Sequence, residues 1–170
     1  APAAEAVPLL GTLLKDRVAE VRRSAARALA GQGTELALRT LRAGLSDPEP
    51  EVRKESLRSI ARAGELMVSR GMSWVLTEVQ DWSRDLLSSN NPVEQVMART
   101  LLLRLGDTRQ VEPLTTLLRS PIEEVRRTIV TESGPNQELL RLALADGSAA
   151  IRLLAAERLA WMGSRDGIPI

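Results

Sequence analysis

Cysteine, histidine, tyrosine and phenylalanine are all absent from this 170-residue sequence, and tryptophan is its only aromatic residue type. A disulfide framework, a thiolate nucleophile, a zinc finger, a histidine-based triad and a tyrosine acid each need side chains that the chain lacks. No Gly-rich phosphate loop and no metal-ligand cluster is present either. We therefore predict a protein that is not an enzyme and that uses no metal and no cofactor.

The sequence also lacks an excess of either charge. Its 23 basic and 22 acidic residues give a net charge of +1, so no global field attracts nucleic acid or an anionic membrane. The chain is Arg-rich, with Lys15 and Lys54 as its only lysines. We interpret this bias mainly as the mark of a GC-rich bacterial genome, and we expect nucleic acid not to be the partner.

Long apolar runs are missing as well. No segment approaches the ~18 apolar residues of a transmembrane helix, and no intact signal peptide is visible, so we expect no membrane insertion. Absence of cysteine fits the cytoplasm, which we predict, and the periplasm alike. The apolar share of 44% and the charged share of 26% are typical of a folded domain rather than a disordered chain.

An internal repeat is the main feature that is present. A β-branched residue followed by arginine recurs at Val21-Arg22, Val52-Arg53, Val125-Arg126 and Ile151-Arg152, with Val96-Met97 as a degenerate copy. Five residues before each of these markers stands a polar residue that favours a helix N-cap; these are Asp16, Asp47, Asn91, Ser120 and Asp146. Pro48, Pro92 and Pro121 follow three of them, where proline suits the first helical turn.

Each predicted cap precedes a helix with apolar residues at helical spacing, and a second amphipathic stretch precedes each cap. These upstream stretches are Val7 to Leu14, Glu35 to Leu45, Met72 to Leu87, Val111 to Leu118 and Gln137 to Leu144. Glycines are expected to end the downstream helices, at Gly31 and Gly33, Gly64, Gly106, Gly134 and Gly163. The chain therefore reads as one domain of five helix–turn–helix units, at approximately 1–33, 34–64, 65–107, 108–134 and 135–165.

Val7-Pro-Leu-Leu10, Asp16, Val21-Arg22 and Ala28-Leu29 resemble a HEAT-like repeat, especially the short type of phycobilin lyase subunits. The resemblance implies an all-α fold, a right-handed α-solenoid of stacked helix pairs. It also implies that the marker arginines hydrogen-bond the loop acids and carbonyls of adjacent units as a structural ladder, made of Asp16, Arg22, Asp47, Arg53, Arg126, Asp146 and Arg152.

The two ends of the sequence lack a clear capping repeat with a polar outer face. The closing stretch after Ser164 reads like the opening of a further first helix. We expect a fragment of a longer array, with a complete five-repeat protein as the alternative.

Positions two and six after each marker are expected to point away from the core and to line the inner, concave face of the solenoid. In the first two units both positions are cationic, and residues 1–64 carry 11 basic against 8 acidic side chains. A partner protein or peptide, in particular an acidic one, is predicted to bind there. The candidate partner-binding residues are Arg23, Arg27, Lys54, Arg58, Leu102, Arg127, Leu153 and Trp74.

The least repeat-like segment contains two tryptophans on one predicted helix. We expect Trp82 in the core, and Trp74 either partly buried or exposed as an interface anchor. Trp74 and Trp82 with Asp81 resemble the aromatic and acidic residues that line a basic cleft in DNA glycosylases built of HEAT-like repeats. Residues 65–107, however, carry 4 basic and 6 acidic residues, a poor charge balance for holding DNA.

These observations favour a non-catalytic scaffold for protein–protein interaction. A subunit of a tetrapyrrole lyase, a HEAT-like DNA glycosylase and a structural spacer in a multidomain protein are the alternatives. The fold alone does not decide among them, and the sequence leaves the oligomeric state open.

Overall fold

The computed structural model describes residues 2–166, and within these it contains ten α-helices and no strand. Helix makes up 77% of the structure, which confirms the predicted all-α class. The chain divides into two compact units, Ala1–Ser88 and Ser89–Ile170. The number of repeats and the handedness of a solenoid stay predictions.

The first unit contains five helices. They are α1 (Pro2–Leu13), α2 (Ala19–Ala30), α3 (Glu35–Leu41), α4 (Pro50–Ser69) and α5 (Trp74–Leu87), with a 3-10 turn at Arg42–Ser46 between α3 and α4. Helices α2 and α4 pack along each other, and α3 packs against both. The core between them is made of fully buried aliphatic side chains, among them Leu29, Leu38, Leu41, Leu57, Ile60 and Met67.

Helix α4 runs past the glycine that was predicted to end it. Gly64 lies buried inside α4, which continues to Ser69, and Gly163 likewise lies inside α10 (Ala149–Asp166). Gly33, Gly106 and Gly134 do follow helices, with φ values of 58°, 104° and 67°, a conformation that costs a glycine little. The prediction was wrong at both positions. For Gly64 the reason is that the apolar pattern of α4 continues to the fully buried Met67, and this packing outweighs glycine's weak helix propensity.

The 3-10 turn after α3 approaches α4 very closely. A Cβ built on Gly44 would lie 2.0 Å from Ser56 Oγ and 2.9 Å from Ser56 Cβ. Only the missing side chain of glycine permits this approach, so Gly44 brings the loop that follows it, with Asp47, up against the start of α4.

The second unit contains the other five helices. They are α6 (Pro92–Arg104), α7 (Val111–Leu117), α8 (Glu123–Glu132), α9 (Gln137–Ala143) and α10 (Ala149–Asp166), with a 3-10 turn at Thr108–Gln110 before α7. Val130, Leu140, Ala143, Ile151 and Ala155 form a buried cluster, against which Leu118, Leu154, Leu159 and Met162 pack. The predicted third repeat is divided between the units, because α5 belongs to the first and α6 to the second.

The prediction that Leu102 of α6 lies on an exposed binding face was wrong. Leu102 is only 1% exposed, although its register placed it on an open inner face. Buried residues occur all around α6, at Val93, Glu94, Val96, Met97, Ala98, Thr100, Leu101 and Leu102. No residue of α6 is exposed, so Leu102 is a core residue.

Candidate functional site

The same type of hydrogen bond recurs in each of the five loops that precede α2, α4, α6, α8 and α10. Each of the five predicted caps accepts the backbone N–H of the residue two positions later: Asp16 from Val18 at 2.8 Å, Asp47 from Glu49 at 2.9 Å, Asn91 from Val93 at 3.0 Å, Ser120 from Ile122 at 3.2 Å and Asp146 from Ser148 at 2.8 Å. These side chains thus form local turns that mimic a backbone turn.

Only Asn91 is the N-cap that was predicted, with Pro92 as the first helical residue. The N-caps of α2, α4 and α8 are Val18, Glu49 and Ile122, two residues later than expected. The turn consumes those two residues before the chain enters the helix. Pro48 and Pro121 accordingly lie in loops, and Pro50 is the first residue of α4.

The marker arginines fasten these loops. Nη1 of Arg22 donates to the carbonyls of Asp16 and Arg17 at 2.9 and 3.2 Å, while Nε and Nη2 donate to the two carboxylate oxygens of Asp47 at 2.6 and 2.9 Å. Arg126 repeats the arrangement, with Nη1 on the Ser120 carbonyl and Nε and Nη2 on Asp146 at 2.8 and 3.1 Å. One planar guanidinium therefore holds its own loop with one nitrogen and the acid of the following loop with two.

The carboxylates in these pairs are ionised ion-pair partners. Burial alone would raise the pKa of Asp47, but the hydrogen bonds from Arg22 and from the Glu49 N–H, together with the Arg22 charge, lower the pKa below its ordinary value. The hydrogen bond from Arg126 is the main cause of the lowered pKa of Asp146. The lowered pKa values keep both acids charged at neutral pH.

The remaining ladder arginines bind their own loops. Arg53 Nη1 donates to the Asp47 and Pro48 carbonyls at 2.6 and 3.0 Å, and Arg152 Nη1 donates to those of Asp146 and Gly147 at 2.7 and 3.1 Å. In the degenerate unit the arginine position is occupied by the buried Met97, and Gln95 Nε2 donates to the Ser89 carbonyl instead, at 2.6 Å.

The facing sides of α2 and α4 carry most of the predicted binding cations. We call this region the basic surface: Arg23, Arg27, Lys54, Arg58 and Arg62, with the carboxylates of Glu20, Glu51 and Glu55 among them. Glu20 pairs with Arg23 at 2.9 Å and Glu51 with Lys54 at 2.8 Å, each within one helix. The Glu20–Arg23 pair is exposed and contributes little energy, whereas the Lys54 side chain is only 16% exposed.

Glu55 is the centre of the basic surface. Its side chain is 6% exposed. It accepts hydrogen bonds from Nε and Nη2 of Arg27, both at 3.2 Å, and from Nη2 of Arg62 at 3.0 Å. The side chains of Arg27 and Arg62 are themselves 55% and 47% exposed. Burial would raise the pKa of Glu55, but the hydrogen bonds from the two arginines lower it below its ordinary value. An ionised, buried carboxylate thus orients two exposed guanidinium groups.

Arg62 and the bridging role of Glu55 were not predicted from the sequence. Arg27 and Glu55 are 28 residues apart, so no local spacing rule connects them. The spacing of Glu55 and Arg62, 7 residues, was a usable signal, because it places both on one face of α4.

Two other predicted binding residues lie in the second unit. Arg127 pairs with Glu123 one turn earlier on α8, and Leu153 is 61% exposed on α10. The structure therefore places Leu153 at the surface as expected.

The tryptophans of α5 contact arginines of α3 and its 3-10 turn. The Arg39 guanidinium lies 5.2 Å from the centroid of the half-buried Trp74 ring, and Arg39 also pairs with Glu35 and Glu78. The Arg42 guanidinium lies 5.9 Å from the Trp82 ring, which is also half-buried. The prediction of a core position for Trp82 was wrong, because one ring face is covered by a charged side chain that itself needs water.

No group of three acidic residues that could hold a metal ion occurs among the described residues. Within residues 2–166, none of the helices combines the length and the apolar character that a bilayer crossing requires.

Comparison with protein families matches residues 2–68 to the family described as HEAT repeats. The match spans α1 to α3 and nearly all of α4, the segment that contains the Arg22–Asp47 pair and the basic surface. It supports a HEAT-like repeat protein, and the phycobilin-lyase type stays a prediction.

Comparison with curated proteins found no match. Among solved structures, the crystal structure of an engineered protein is similar at 24% sequence identity, over 93% of this chain and 79% of that chain, with a TM-score of 0.48.

Proposed function

We propose that the protein is a non-catalytic scaffold that binds an acidic segment of a partner protein on the basic surface of α2 and α4. HEAT repeats commonly mediate protein–protein interaction, and the HEAT-like segment contains this surface. In the solenoid that the sequence predicts, the second helices form the inner face, which is the face a partner would occupy.

The arrangement around Glu55 carries the proposal. Glu55 uses Nε and Nη2 of Arg27 and Nη2 of Arg62. Nη1 of Arg27 and Nε and Nη1 of Arg62 have no hydrogen-bond partner among the residues that the structure describes. Guanidinium groups held in place with free donors bind carboxylates well, since less side-chain freedom is lost on binding.

The charge balance supports the same partner. Arg27 and Arg62 share one carboxylate, that of Glu55, so two exposed cations stand against one acid at the centre of the basic surface. The acids paired here and in the loops have lowered pKa values at Asp47, Glu51, Glu55 and Asp146, which suits ion pairing rather than proton transfer at neutral pH. No described feature favours the lyase or glycosylase alternatives over binding.

A titration tests the proposal directly. The surface variant changes Arg23, Arg27, Lys54 and Arg58 to Gln and retains Arg62, so that the buried Glu55 keeps one partner. The control variant changes Lys15, Arg84, Arg119 and Arg141 to Gln, which removes the same number of lysines and arginines from exposed positions elsewhere. Fluorescence anisotropy follows the binding of a labelled oligoglutamate peptide.

We expect the surface variant to bind the peptide about tenfold more weakly or worse, with the control variant close to the native chain. Raising the salt concentration should weaken native binding in the same direction. Equal affinities for the two variants, with both folded by circular dichroism, would contradict the proposal.

A further inference from the structure

Arg152 has an unused carboxylate-binding fork. In Arg22 and Arg126, Nη1 binds the chain's own loop while Nε and Nη2 bind the acid of the following loop. Arg152 makes the first contact, with the Asp146 and Gly147 carbonyls. Its Nε and Nη2 have no partner among residues 2–166, and the side chain is exposed.

Asp16 is the complementary acid. Asp47 and Asp146 occupy the same position of their loops. Each accepts hydrogen bonds from Nε and Nη2 of the marker arginine of the preceding predicted repeat. Asp16 makes the same turn hydrogen bond to the Val18 N–H, but no cation of the described chain donates to its carboxylate. Arg152 and Asp16 are therefore the two unpaired halves of one repeated interaction.

The surface around Arg152 is open where equivalent surfaces are packed. In the four other predicted repeats the residue five positions after the marker is at most 2% exposed; these residues are Ala26, Leu57, Leu101 and Val130. The equivalent residue on α10, Ala156, is exposed. The leucine two positions before the loop acid is 6% exposed at Leu14 and Leu45 but 42% exposed at Leu144.

Residues of α2 near Asp16 are likewise more exposed than their equivalents on α4. On α4, Glu55 and Ser59 are buried at 5% and 0% exposure, but the equivalent residues of α2, Ser24 and Ala28, are exposed. On α1, Leu9 and Leu13 are 67% and 42% exposed. Exposed apolar side chains thus occur on the helices next to both loops, at Leu9 and Leu13 before Asp16 and at Leu144 and Ala156 on either side of Arg152.

We propose that a second copy of this chain docks head-to-tail, so that the Asp16 carboxylate of one copy accepts Nε and Nη2 of Arg152 from another. The contact repeats between chains the fork that Arg22 and Arg126 form within each unit, and it covers Leu9 and Leu13 with the surface around Ala156 and Leu144. It is a heterologous contact, which produces rings or open chains rather than closed twofold dimers. The basic surface takes no part in it.

Analytical ultracentrifugation of the full chain over a concentration series tests this proposal. Arg152→Asp and Asp16→Lys each place like charges at the contact, so each variant alone should associate about tenfold more weakly than the native chain or worse. An equimolar mixture of the two variants restores opposite charges at every contact and should restore association. Arg84→Glu, on an exposed α5 position, is the control and should behave as native.

A native chain that is monomeric at every concentration would overturn the proposal, as would undiminished association of Arg152→Asp. Failure of the mixture to associate, with both variants folded by circular dichroism, would also overturn it. If either variant does not fold, Arg152→Gln and Asp16→Asn replace them. Asp16→Asn keeps the oxygen that accepts the Val18 N–H, and both neutral variants should still weaken association.

Discussion

A single loop position performs two separable tasks in this protein. Asp16 and Asp47 both accept the N–H two residues later, and this turn sets the entry of the chain into α2 and α4. Asp47 in addition accepts the fork of Arg22 and is buried, with 5% of its side chain exposed. The difference between the two residues therefore isolates the contribution of the ion pair from that of the turn.

Replacing these two acids by alanine should give unequal losses of stability. At concentrations where the chain is monomeric, Asp16→Ala removes only a turn bond and should lower the free energy of unfolding by about 1 kcal/mol. Asp47→Ala also leaves Nε and Nη2 of the buried Arg22 without an acceptor and should lower the free energy of unfolding by about 3 kcal/mol. Urea denaturation of both variants measures the difference, and equal losses would show that the Arg22–Asp47 pair contributes nothing beyond the turn.

The paired acids also predict the pH dependence of stability. The folded-state pKa of Asp47 lies below the ordinary value of 3.8, so its contribution is complete above about pH 5 and is lost as the pH falls through the folded-state pKa. Asp47→Asn should flatten the decline of the urea midpoint below about pH 5. Asp81→Asn, which alters an exposed pair with Arg84, should leave the native slope, and an unchanged slope in Asp47→Asn would contradict the assignment.

At the scale of helices, the close approach of the 3-10 turn to α4 is the tightest constraint in the first unit. Gly44→Ala places a methyl group against Ser56 and should lower the free energy of unfolding by about 2 kcal/mol. Gly44→Ala combined with Ser56→Gly removes the clash and should recover part of that loss beyond additivity. Additive effects of the two changes in urea denaturation would argue against the contact.

The helices were predictable from the repeat, whereas their exact ends were not. Marker residues and apolar spacing located all five second helices, because both are properties of one short segment. The true N-caps lie two residues later, at Val18 for α2 and at Glu49 for α4, because the same polar side chain can cap a helix or form a turn. Gly64 was misjudged because packing of α4 outweighs a local propensity.

At the scale of the whole molecule, most cations of the basic surface were predictable from the sequence, whereas the bridging role of Glu55 between Arg27 and Arg62 was not. Arg27 and Glu55 meet only after α2 and α4 pack together. No local spacing rule predicts a pair between residues on two different helices. Leu102 was misplaced for a related reason. A helical wheel predicts which face is apolar, but no residue of α6 is exposed, and this burial depends on packing that lies outside the helix itself.

The most direct test of a scaffold that uses the basic surface is affinity capture from an extract of the source cell. The native chain, the surface variant with Arg23, Arg27, Lys54 and Arg58 changed to Gln, and the control variant with Lys15, Arg84, Arg119 and Arg141 changed to Gln are compared by quantitative mass spectrometry. We predict a protein with an acidic segment that is captured by the native chain and the control variant and lost with the surface variant. Capture of the same proteins by all three chains, or of none by the native chain, would contradict the account.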